Sequence, residues 1–82
     1  MEPKIDEICF ELRGATLELA TKTKALMDHS DLTGKPNSEK GYSEMRANIM
    51  IAYRHFEDAR MRLGKVVQAF DGGTSCYPKE GV

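Results

Sequence analysis

The sequence holds no tryptophan, and only three phenylalanines and three tyrosines in 82 residues. With so few large anchors a wide globular core is out of reach. A thin helical chain of this size usually completes its core by oligomerising. No apolar run is long enough to span a membrane, and Met1 to Asp6 lack the basic start and apolar centre of a secretory leader. A cytoplasmic protein with no membrane association is therefore expected. Neither sign of charge is in excess, with 12 basic residues against 13 acidic ones and a net charge of −1. A general DNA or RNA binder carries a clear positive surplus, so no DNA partner is expected. The two cysteines, Cys9 and Cys76, read as free thiols in that setting, and Cys9 as a small residue on an apolar helix face.

Motifs that carry chemistry are equally scarce. There are two histidines and no CxxC, HExxH, GxSxG or glycine-rich strand-to-helix loop. His55, beside Arg54 and near Glu57, has the geometry of a general base only in principle, and reads more simply as a polar residue on a helix flank. Glu57 and Asp58 lack a histidine at i+3 and read as solvated helix charges rather than metal ligands. Neither enzymatic activity nor a cofactor or metal is expected.

What the chain does have is helical periodicity. Tyr42, Met45, Ile49, Ala52, Phe56, Ala59, Leu63, Val66 and Phe70 recur at 3-4 spacing over four heptads with no proline between them. This predicts a long second helix over about residues 38–71, roughly 50 Å in length. A first helix over about 4–28 follows from Ile5, Ile8, Cys9, Leu12, Ala15, Thr16, Leu19, Thr23 and Leu26, with Pro3 and the acidic Glu2, Asp6 and Glu7 at its start. Gly34 and Pro36 break helical order between them, and Asn37 or Ser38 is placed to cap the second helix. A glycine of the Gly72-Gly73 pair suits its C-terminal end.

The predicted fold is all-α: an antiparallel two-helix hairpin over 1–73, followed by an irregular tail over 74–82. The first helix is too short to cover the long seam, and a second apolar line (Met50, Tyr53, Val67) widens it. Both features favour assembly into a symmetric helical oligomer.

The second helix is also basic, with Arg46, Arg54, Arg60, Arg62 and Lys65. Arg54, Glu57, Asp58 and Arg62 stand at ion-pairing distance along one helix. Arg46, Arg60 and Lys65 have less obvious local partners, and guanidinium groups brought together would suit a phosphate. Arg13 lies midway along the first helix, where Cys9, Phe10, Thr16 and Leu17 are its neighbours one turn away. Tyr53 and Tyr77 offer flat faces for a nucleobase.

The run Met50 to Lys65 (MIAYRHFEDARMRLGK) resembles the second helix of small phage proteins that blunt CBASS and Thoeris immunity by acting as nucleotide sponges. Arg54-His55-Phe56 and the Met61-x-Leu63-x-Lys65 end carry the likeness. The resemblance implies a helical hairpin that binds a cyclic dinucleotide, cyclic trinucleotide or cyclic ADP-ribose-type signal without cutting it. It also implies a homo-oligomer, hexamer favoured and dimer possible, working in the host cytoplasm during infection. It places Arg13 at a phosphate-contacting position and Arg46 within one residue of an arginine that lines a second pocket. The family's stacking tyrosine ahead of helix one has no counterpart here, and Tyr77 is positioned to replace it from the tail. The implied binding set is Arg13, Arg46, Tyr53, Arg54, Arg60, Lys65 and Tyr77. A different reading of the same periodicity is an oligomeric helical bundle with a structural or regulatory role and a protein, less readily an RNA, partner.

Overall fold

Acidic residues begin the first helix as the sequence suggests. The Glu7 carboxylate accepts a hydrogen bond from the Lys4 backbone N–H at 3.3 Å, and Asp6 Oδ1 accepts one from the Glu7 N–H. Both satisfy donors that a helix start leaves open. The computed structural model describes residues 2–39 and 41–72. Within them α1 runs over Ile5–Ala25, tightens into a 3-10 turn at Leu26–Asp28, and α2 runs over Tyr42–Phe70. No strand occurs among the described residues, and none of their helices is long and apolar enough to cross a membrane. The expected tail, with Cys76 and Tyr77, lies outside the described residues.

The second helix starts at Tyr42 rather than near residue 38. Gly41 precedes it at φ +92°, a left-handed conformation that costs a side-chain-bearing residue strain but costs glycine little. Neither Asn37 nor Ser38 is the cap; the Asn37 side chain is engaged elsewhere, by Arg46. At the far end α2 stops where expected, with Gly72 at φ +78° just after Asp71.

Pairs of residues across the hairpin fix its direction. The Arg13 Nε donates to the Arg60 carbonyl at 3.3 Å, the Lys24 ammonium sits over the Tyr53 ring, and Leu26 shares a groove with Ile49. As numbers rise on α1 they fall on α2, so the helices are antiparallel.

The face that closes the hairpin differs from the most apolar one. On α1 and the turn that follows it the least exposed residues are Asp6, Cys9, Arg13, Thr16, Ala20, Thr23 and Met27, again at 3-4 spacing. On α2 they include Arg46, Met50, Tyr53, Glu57, Arg60, Gly64 and Val67. Much of the predicted seam therefore lies to one side: Ile5, Ile8, Leu12 and Leu19 on α1, Leu26 in the turn after it, and Met45, Val66 and Phe70 on α2, are 39–50% exposed. Tyr42, Ile49, Ala52, Phe56 and Leu63 are half-buried between the two. The physical reason is side-chain size. Cys9, Ala20 and Gly64, all buried, let the backbones approach closely, whereas a seam of Leu, Ile and Phe would hold them apart.

On each helix the apolar stripe sits one residue before the closing seam, a rotation of about 100°. In an antiparallel pair that shared offset turns both stripes to the same side. The hairpin thus carries a broad open apolar face built from both helices, while Phe10, Leu17, Ile51 and Met61 are exposed outside it. Its own buried apolar residues are few among those described: Cys9, Ala20, Leu32 and Val67.

Candidate functional site

Half-way along the closing seam two arginines meet. Arg13, on α1, donates through Nε to the Arg60 backbone carbonyl, and Thr16 Oγ1 bonds the Arg13 carbonyl at 2.9 Å. Arg60 is half-buried, and its own Nε is buried with no hydrogen-bond partner among the described residues. A buried donor on a charged group without a partner costs free energy. It is the one polar side-chain atom of this kind among the described residues.

Two turns toward the loop, about 10 Å along α2, lies Tyr53. Its hydroxyl donates to Glu57 Oε1 at 2.9 Å, and the Lys24 ammonium stands 5.1 Å from the ring centre. That hydrogen bond, followed by the repulsion between the Glu57 charge and a phenolate and then by burial, pushes the Tyr53 phenol above its usual value of 10.0. A depression of about 310 Å³ is lined here by Thr21, Lys24, Ala25, Asp28 and Tyr53. The ring already carries one cation on its face, which prepares it for a flat partner only if Lys24 moves aside.

Arg46 does something else. Its guanidinium bonds the Asn37 side chain and the backbone carbonyls of Leu32, at 2.7 Å, and Lys35. It clamps the connecting segment on to α2, over the buried Leu32. It also stands fourteen residues from Arg60, about 21 Å along the helix, so the two cannot serve one small ligand within a chain. Arg54 and Lys65 are exposed, each one residue beyond the closing seam at Tyr53 and Gly64, on the side away from the open apolar face. Tyr77 lies outside the described residues. The structure therefore groups Arg13 with Arg60, sets Tyr53 with Lys24 nearby, and separates Arg46 from both.

The ion pairs suggested by the α2 sequence do not form. Glu57 is turned to Tyr53, Lys22 pairs with Glu18 at 3.0 Å, and the His29 Nδ1 accepts a hydrogen bond from the Asp31 backbone N–H at 3.0 Å. His55 is exposed, and no group of His, Cys, Asp and Glu among the described residues could hold a metal.

A second cavity escaped the sequence reading. At the loop end a groove of about 650 Å³ is lined by the apolar Leu26, Leu32, Met45 and Ile49 together with His29, Asp31, Glu44 and Asn48. The volume suits a small molecule. Two carboxylates in the lining, Asp31 and Glu44, disfavour a phosphate there. Leu32, an isolated apolar residue in a polar stretch, was the available signal.

No protein-family model, curated protein or solved structure matches the chain. The class defined by the fold is a helical hairpin with a charged closing seam and an apolar open face, and the site stands on its own geometry.

Proposed function

We propose that this protein is an oligomeric nucleotide sponge of the phage immune-evasion kind, acting in the cytoplasm of an infected bacterium. It binds a cyclic oligonucleotide or cyclic ADP-ribose-type messenger and holds it unchanged. The observation that carries the reading is the buried, partnerless Arg60 Nε beside Arg13. Two arginines at one level of the seam favour an anion, and a phosphodiester supplies the acceptor that the Arg60 Nε lacks. Tyr53, two turns away on the same face, is the base-contacting residue, with Lys24 displaced from its ring. Arg54 and Lys65 add positive charge at the edge. Arg46 is removed from the ligand set by its role in the loop. A hexamer is the favoured assembly, since repeated pockets raise capacity without turnover.

The test is thermal unfolding against a panel of cyclic di- and trinucleotides and cyclic ADP-ribose, at fixed protein concentration. A ligand at 100 times its dissociation constant adds about 2.7 kcal/mol to stability. Arg60→Met keeps the side-chain stem and the carbonyl that Arg13 uses. It should weaken binding by about 10- to 100-fold, the equivalent of one charge-assisted hydrogen bond. No stabilisation by any member of the panel, or full affinity in Arg60→Met, would sink the reading. A bound messenger should be recovered intact after denaturation.

The breadth of the open apolar face favours a second reading, a regulatory helical bundle with a protein partner. It predicts no response to the panel.

A further inference from the structure

We infer that the open apolar face is the contact between two copies of this chain, packed with α1 of each copy against α2 of the other. The inference rests on the assembly half of the proposed function and is independent of its ligand half.

Area and periodicity make a second copy the fitting occupant. The face carries heptad spacing on both helices, the pattern that packs against its own kind. Eight large side chains on it are 39–50% exposed. With the half-buried Ile49, Phe56 and Leu63 between them, they cover an area on the order of the ~800 Å² per partner that a stable interface uses. The hairpin's own buried apolar residues are too few to stand without it.

Charge then selects the arrangement. On the outer edge of α1, beside the apolar stripe and seven residues apart, stand Glu11 and Glu18; on the outer edge of α2, likewise seven apart, stand His55 and Arg62. All four are exposed. The Arg13–Arg60 bond sets the register, and it puts residue 11 level with 62 and residue 18 level with 55. Within one chain these edges point away from each other, across two helix diameters or about 20 Å. A two-fold axis along the hairpin lays α1 over the other copy's α2, antiparallel and at the same level. Glu11 then meets Arg62 of the partner subunit, and Glu18 meets His55 of the partner subunit. The other symmetric choice, α1 over α1, sets Glu11 against Glu18 of the partner subunit and is repulsive. Glu18 already bonds Lys22, which leaves Glu11 and Arg62 as the diagnostic pair.

The experiment is charge reversal with sedimentation velocity over a dilution series, without ligand. Wild type should assemble. Arg62→Glu and Glu11→Arg should each raise the dissociation constant about tenfold, because two-fold symmetry applies every change twice. Mixing the two reversed chains should restore assembly, since every junction is then opposite in sign; the double variant should recover it as well. Unaltered helicity by circular dichroism accompanies each measurement, and the neutral pair Glu11→Gln and Arg62→Gln repeats it in smaller steps if a reversal fails to fold. Single variants that assemble like wild type, or a mixture no better than its components, would overturn this arrangement while leaving ligand binding untouched. A monomeric wild type would overturn the arrangement together with the assembly it rests on. A protein that assembles as described but ignores every cyclic nucleotide would uphold it and remove the sponge.

Discussion

Replacing Arg46 with methionine separates a loop clamp from a ligand contact. The guanidinium makes three bonds, to the Leu32 and Lys35 carbonyls and to the Asn37 side chain. The bond to the Leu32 carbonyl is partly buried, and the other two are exposed. A charged donor to a partly buried acceptor is worth about 1.5–3 kcal/mol, and an exposed bond well under 1. Methionine keeps the aliphatic stem, so little packing is lost. The expected cost is about 2–3 kcal/mol, which in a domain of this size lowers Tm by roughly 10–20 °C. Asn37→Ala removes only one exposed acceptor and should cost under about 1 kcal/mol. Urea unfolding at one fixed protomer concentration gives both numbers, and holding concentration constant keeps assembly out of the comparison. A stability loss below about 0.5 kcal/mol, or a loss of ligand affinity without a loss of stability, would refute the clamp.

Two other substitutions address the loop and the tyrosine. Leu32→Ala empties a site that is 3% exposed, beneath the connecting segment, and should cost about 2–4 kcal/mol by chemical denaturation. The Tyr53 phenol is raised by Glu57, so the neutral form is favoured in the folded state. The stabilisation it brings is present below the usual phenol pKa of 10.0 and is lost as pH rises through the higher folded value. In an absorbance titration, with Tyr53→Phe to assign the signal, Glu57→Gln should lower that ionisation. An unchanged midpoint would mean that Glu57 does not hold the hydroxyl.

The helices were legible because 3-4 spacing is a property of sequence alone. Their closing face was not. On each helix an apolar stripe and a mixed stripe lie one residue apart, and both repeat with the same period. Hydropathy ranks the Leu, Ile and Phe stripe first. Close approach favours the other, through Cys9, Ala20 and Gly64, and this is decided only when two helices meet. The late start of α2 has a similar origin. Residues 38 and 39 are acceptable in a helix, but Gly41 adopts the left-handed region and resets the chain. For the site, a row of arginines was visible without the difference between them. Arg46 bonds backbone carbonyls, which no residue name marks, and Arg60 owes its character to a single buried nitrogen.

This hairpin distributes polarity in the opposite way to a self-sufficient one. A monomeric pair of helices closes over its apolar side chains and turns its arginines to water. Here Arg13, Thr16, Glu57 and Arg60 line the closing seam while leucine and isoleucine remain half-exposed. Desolvating guanidinium groups costs free energy, and the helix contact recovers only part of it. Covering the apolar face, as the proposed contact does, would supply the rest. The ordering has a consequence for function. If the face is spent on a second copy, as proposed, the charged seam lies at right angles to that contact and keeps its arginines for an anion. Assembly and ligand then draw on different surfaces of the same two helices. Reversing charges at Glu11 and Arg62 should therefore leave the arginine pair intact, and Arg60→Met should leave the apolar contact intact. On the proposed reading one short chain supports both tasks, because each helix has two seams of the same period, set about 100° apart.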